Sequence, residues 1–149
     1  MRNLFTIKEI EISYNSNTIK ADRTRITNSI DTFEVSKEVF KNSIEYKESF
    51  FLMILNNANE ILGIKKISEG GLAGTVVDVR LIFQTILKAH GTGFIILHNH
   101  PSGNLQPSEA DKTITNTIKQ GAKVLNLNLL DHLIITKENY FSFADSTIL

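Results

Sequence analysis

Phe94-Ile95-Ile96-Leu97-His98-Asn99-His100-Pro101-Ser102-Gly103, followed by Pro107-Ser108-Glu109-Ala110-Asp111, is the stretch from which the rest of the chain can be read. Four consecutive apolar residues describe a buried strand. The two prolines of the chain and the Gly103-Asn104 pair between them describe a short polar loop. Ser108 then opens a helix whose apolar stripe is Ala110, Ile114 and Ile118, with Gly121 as its stop. Downstream, Val124 to Leu130 alternates apolar and polar residues as a strand with one wetter face. Asp131-His132 interrupts it, Leu133-Ile134-Ile135 continues, and Tyr140 to Phe143 is the last strand.

Working upstream, Asp78 is placed to cap a helix from Val79 to Ala89, with Val79, Ile82, Phe83, Ile86 and Leu87 on one face and Gly91 at a left-handed C-cap. Phe50 to Leu55 is apolar on both faces and belongs in the middle of a sheet. Asn56 to Glu60 has the residue types of a hairpin turn, and Ile61 to Ile67 returns from it, Gly63 marking a weak or bulged point. Glycines at 70, 71 and 74 allow tight turns before a short strand at Thr75 to Val77. A helix starting at Asn28 or Ser29 carries Ile30, Phe33, Phe40 and Ile44. Ahead of it lie an exposed connector (Lys20 to Thr27), a turn (Tyr14 to Asn17) and a strand over residues 4–12. Strands and helices mix without a regular βαβ repeat, so the expected class is α+β, a three-layer α-β-α arrangement around a mixed central sheet flanked by helices.

Composition narrows the functions. The chain has 149 residues, 42% of them hydrophobic, enough for one globular unit with a sizeable core and too few for a second full domain. Basic and acidic residues number 16 each, so the charge does not indicate a nucleic-acid partner. The absence of cysteine excludes a disulfide framework, a zinc finger and a thiol nucleophile. Neither a membrane span nor a signal peptide is evident, and a cytoplasmic location is expected.

The chemistry lies in the opening stretch. Two histidines one residue apart at a strand end project to the same side, and Pro101 favours an extended backbone at His100. Catalytic zinc takes three protein ligands and keeps one position open. His98 and His100 offer two, and Asp111, in the first turn of the next helix, is placed to be the third. Ser108-x-x-Asp111 is also a helix-capping pattern, and from those residues alone capping explains it equally well.

His98-x-His100-Pro101, five residues, then Pro107-Ser108-x-x-Asp111 resembles the signature of the JAMM/MPN+ (JAB) metalloproteases. The wording His98-Asn99-His100-Pro101-Ser102-Gly103 is similar to the RadC-like branch, as are Gly70-Gly71 and Leu130-Asp131-His132-Leu133-Ile134. The resemblance covers residues 45–149 and implies a JAMM/MPN-like (cytidine-deaminase-like) architecture, with residues 1–44 as an N-terminal extension packed on that core. It implies one zinc ion per chain held by His98, His100 and Asp111, with Ser108 stabilising an oxyanion. It further implies an upstream glutamate as general base. Glu48, just ahead of Ser49-Phe50-Phe51-Leu52, matches by position, and Glu45 is the alternative. The implied activity is hydrolysis of a peptide or isopeptide amide in an extended peptide or protein substrate.

Full-length RadC proteins join a helix-hairpin-helix module to this domain. Residues 1–44 show no hairpin glycine pattern, so DNA binding is not expected from them. Three other readings compete. A metal-dependent nuclease leaves the Pro-Ser-x-x-Asp continuation unexplained, a metal-free scaffold would have lost ligands that are all present, and a zinc deaminase needs cysteines and a His-x-Glu motif. His132 reads as a buried or structural histidine after a strand, with a place beside the metal as the alternative.

Overall fold

Two strands that bury every residue lie side by side in the middle of a five-stranded sheet: β1 (Ser49–Leu55) and β3 (Gly93–Asn99). In the computed structural model, which describes residues 23–70 and 76–149, the remaining strands are β2 (Ile61–Glu69), β4 (Asn128–Ile135) and β5 (Tyr140–Ser142). The helices are α1 (Ser29–Phe40), α2 (Val79–Lys88) and α3 (Glu109–Val124). The sheet order is β2-β1-β3-β4-β5, antiparallel throughout except for β3 and β4, which run parallel because α3 carries the chain back between them. The expected strand over residues 4–12, the turn at Tyr14 to Asn17, Lys20, Gly71, Gly74 and Thr75 lie outside the described residues.

The pleat sorts each strand onto two faces. Phe51, Met53 and Leu55 of β1, Ile95 and Leu97 of β3, and Leu133 and Ile135 of β4 pack against Phe33 and Phe40 of α1. Phe50, Leu52, Ile54, Phe94 and Ile96 pack on the opposite face against Ile82 and Ile86 of α2 and Ile118 and Ala122 of α3. One helix on one face and two on the other make the three-layer, α+β architecture with a mixed sheet that the pattern of elements predicts. By the same alternation His98 points toward α2 and α3, and Asn99 toward α1.

Local chemistry explains most boundaries. The Asn56 carboxamide accepts the N–H groups of Ala58 and Glu60 and closes the β1–β2 hairpin, with Asn59 left-handed at φ 58°. Asn28 caps α1 and Asp78 caps α2 through their side chains. A one-residue bulge at Leu62 adjoins Gly63, and a second falls at Ile67.

Several expectations are corrected. Gly121 does not stop α3, which continues to Val124, so β4 starts only at Asn128; the left-handed residue that turns the chain is Asn126, at φ 54°. Gly121 is instead a point of close approach, since a Cβ there would lie 2.6 Å from Cε2 of Phe83 on α2. Likewise the left-handed residue after α2 is His90, at φ 56°, and a Cβ on Gly91 would lie 2.3 Å from Cγ2 of the buried Ile54. Asp131-His132 does not interrupt β4, which absorbs them with a bulge at Leu130. Ile30, Leu87 and Ala110 face solvent rather than the core, and Val76 and Val77 belong to no strand. Ile26, in the expected exposed connector, is buried beside the hairpin. Among the described residues no helix is long and apolar enough to cross a membrane.

The Gly91 contact yields a first prediction. Gly91→Ala should lower stability by about 1–3 kcal/mol, because Ile54 is held in the sheet centre and cannot step aside. Urea unfolding of the two proteins measures this.

Candidate metal centre

β3 ends by presenting His98 and His100 from the face of the sheet that carries α3. The backbone N–H of His100 remains tied to the Ile135 carbonyl of β4, which prolongs the extended geometry one residue past the strand. The chain then loops through Pro101 to Pro107 and enters α3 with Ser108 as N-cap. The Ser108 Oγ accepts the Asp111 N–H (3.1 Å), and Asp111 Oδ2 accepts the Ser108 N–H (2.7 Å), a complete capping box. The other oxygen, Asp111 Oδ1, lies 3.2 Å from His98 Nε2. Capping and metal-facing geometry therefore coexist in one carboxylate: Oδ2 takes the cap while Oδ1 faces His98.

The donors fit a small tetrahedral cation. His98 Nε2 and His100 Nε2 are 2.9 Å apart, and Asp111 Oδ2 is 3.5 Å from His100 Nε2. Around a metal with ~2.0–2.1 Å bonds, tetrahedral ligands are about 3.3 Å from one another, and the separations between the two nitrogens and the Asp111 carboxylate, 2.9, 3.2 and 3.5 Å, lie close to that spacing. Two imidazoles and a carboxylate are also a zinc-type donor set. His98 is buried, and the side chains of His100 and Asp111 are largely so. The residues present could hold a metal ion.

The surrounding charges are consistent with this. Burial pushes the Asp111 carboxyl up, but hydrogen bonds from His100 and His98 and the charge on His98 outweigh it and hold the group well below the usual carboxylate range. Hydrogen bonding to Asp111 raises the His100 imidazole; burial opposes this, while the Asn104 carbonyl and the charges of Asp111 and Glu48 reinforce it. Burial, followed by the charge on His98, holds His132 well below its ordinary value.

The cage opens on a cleft of about 1140 Å³ lined by Glu48, Phe50, Val77 and Ser108, among others. Glu48 is half-buried in the connection between α1 and β1, its carbonyl accepting the Gly70 N–H at 2.8 Å. Glu45 is turned away: it is exposed and pairs with Lys137 at 3.2 Å. Ser108 is exposed at the mouth, with its hydroxyl oxygen accepting from α3. The structure thus places Glu48 and Ser108 on the cleft that the donors line and leaves Glu45 outside it.

A family model for the RadC-like JAB domain matches residues 26–148. The chain belongs to that family. It is similar to a UPF0758 protein of Flavobacterium johnsoniae, 45% identical over 124 residues, which are 83% of this chain and 53% of the relative. A UPF0758 protein of Pelodictyon phaeoclathratiforme is 40% identical over 105 residues (70% of this chain, 47% of the relative). Another, of Chlorobaculum tepidum, is 37% identical over 119 residues (80% and 53%). The chain spans about half the length of these curated relatives. Membership places this RadC-like domain in a JAMM-type metal-dependent hydrolase family.

In this RadC-like domain the residue between the two histidines has a task that sequence reasoning missed. Asn99 is fully buried on the α1 side. Its Oδ1 accepts the Ser49 N–H (2.8 Å), and its Nδ2 donates to the carbonyls of Lys47 (2.8 Å) and Ile44 (2.9 Å). These bonds bracket Glu48 on both sides, so one side chain of the metal-bearing strand locates the segment that carries Glu48. The available signal was a polar residue at a core-facing position of a strand that is otherwise apolar on that face. Asn99→Ala should cost about 1–3 kcal/mol, since the buried Ser49 N–H loses its acceptor. Urea unfolding would show this, and zinc should still bind at one per chain because the ligands are untouched.

Asp131 was also misread as a break. Burial raises its carboxyl, but Ser142 Oγ and the N–H groups of Ala144 and His132 donate to it and make its place inside the sheet tolerable.

Proposed function

We propose that this domain is a zinc-dependent metallopeptidase or isopeptidase that hydrolyses an amide bond in an extended peptide or protein segment. The observation that carries this reading is the convergence of a half-buried carboxylate, Glu48, and three metal donors on one open cleft. His98, His100 and Asp111 would hold the ion. When bound, zinc supplies Lewis acidity toward a carbonyl oxygen and lowers the pKa of a coordinated water to about 7.

The chain's own residues do the rest. Glu48 takes a proton from the attacking water and delivers it to the departing amine. Ser108, whose oxygen already accepts the Asp111 N–H, has its hydroxyl proton free to donate to the oxyanion that develops on the substrate. Phe50 and Val77 give the cleft apolar walls against which the substrate can pack. The sheet order leaves β2 at an edge, which supports binding of the substrate as an added strand.

The test offers zinc-loaded protein a pool of quenched peptides and isopeptides, and in parallel plasmid and single-stranded DNA. Cleavage of an amide substrate that disappears in Asp111→Ala is expected. Asp111-dependent cutting of DNA with no amide cleavage would replace this reading with a nuclease.

A further inference from the structure

We propose that His132 and Thr115 form a positioning relay that fixes the tautomer of His98, so that its Nε2 lone pair faces the metal. The inference rests on the metal-centre reading above and adds residues to it. His132 sits on β4, one strand over from His98, on the same face of the sheet and fully buried. Its Nε2 is 2.7 Å from His98 Nδ1, the ring nitrogen that points away from Asp111. Its Nδ1 is 2.6 Å from Thr115 Oγ1 on α3.

The directions of these bonds follow from one end of the chain. The Thr115 hydroxyl lies 2.6 Å from the Asp111 carbonyl, one helical turn back. A carbonyl can only accept, so the single hydroxyl proton of Thr115 is committed there and its oxygen must accept from His132. His132 therefore carries its proton on Nδ1 and offers a lone pair at Nε2. That lone pair can only receive the Nδ1 proton of His98, so Nε2, the nitrogen that faces Asp111, is the one that would give up its proton to a metal. His100 is set independently: its Nδ1 is 2.6 Å from the Asn104 carbonyl, so that nitrogen is a fixed donor and Nε2 is the one that would turn to a metal. Each imidazole ligand thus has its proton held on the nitrogen remote from the cage, the arrangement a metal requires.

Packing alone does not explain an imidazole at this place. The ring is stacked on Phe143 at 4.5 Å and meets the edge of Phe50 at 6.0 Å, surroundings in which phenylalanine would sit as well. That makes His132→Phe a variant expected to fold, and His132→Gln one that restores an acceptor.

Zinc affinity is measured by chelator competition on the full chain, with circular dichroism confirming the fold. His132→Phe should bind zinc about ten- to a hundredfold more weakly. His132→Gln should recover most of that loss, and Thr115→Val should fall between wild type and His132→Phe. In the zinc-loaded wild type labelled with 15N-histidine, NMR should place the shared proton on His98 Nδ1, with a coupling across the bond to His132 Nε2. Equal affinity in wild type and His132→Phe, equal weakness in the Phe and Gln variants, or a proton on His132 Nε2 would each overturn the relay while leaving the metal centre standing. Failure of wild type to take up zinc would overturn the metal centre and the relay together.

Discussion

Purified protein should carry about one zinc per chain, and His98→Ala or Asp111→Ala should lose it. Zinc-binding free energies of zinc-finger peptides, roughly 10–16 kcal/mol for four ligands, correspond to about 2.5–4 kcal/mol per ligand, or a roughly 10²–10³-fold weaker affinity for each one removed. The two substitutions are not equivalent. His98→Ala removes a donor and the partner of the buried His132 Nε2. Asp111→Ala also takes the acceptor from the Ser108 N–H and should destabilise the start of α3 by a further ~1 kcal/mol, visible without metal. Elemental analysis after dialysis and chelator competition give occupancy and affinity. Full occupancy in both variants would refute the assignment of these residues as ligands.

Glu48→Gln should leave zinc binding intact and reduce hydrolysis by about 10²–10⁴-fold, the usual contribution of a positioned general base. The amide keeps the shape of the carboxylate but cannot take a proton. Glu45→Gln should leave the rate unchanged, because its partner is Lys137 on the protein surface. A Glu48→Gln enzyme with wild-type turnover would end the assignment. If it is inactive but metal-loaded, it becomes a trap for substrates, since binding survives and cleavage does not.

Much of this architecture is legible in the chain because the signals are local and unambiguous. Phe50 to Leu55 and Phe94 to Leu97 have no polar side and so had to be central. The pairing of His98 with His100 follows from strand alternation alone. What was misread depends on distant neighbours. Gly121 reads as a helix stop until Phe83 is seen to occupy the space of its missing side chain. Asp131 and His132 read as a break because nothing local shows that Ser142, Ala144 and Thr115 will satisfy them. Glu48 is preferred over Glu45 in sequence only by its position ahead of β1, and nothing local shows that Asn99 will hold Lys47 and Ser49 on either side of it.

The parallel strand pair has a consequence for how the molecule assembles. His98, His100, Asp111, Thr115 and His132 all belong to the contiguous β3-α3-β4 segment. Joining His98 to Asp111 closes a loop of about 13 residues, whereas bringing Glu48 to the same point closes one of about 50. The longer closure costs about 1 kcal/mol more in chain entropy. The metal donors are therefore local to one segment of the chain, while the carboxylate that completes the proposed site depends on the long-range pairing of β1 with β3. On the proposed function, a chain in which β1 had not yet paired with β3 would hold the metal donors without Glu48 beside them.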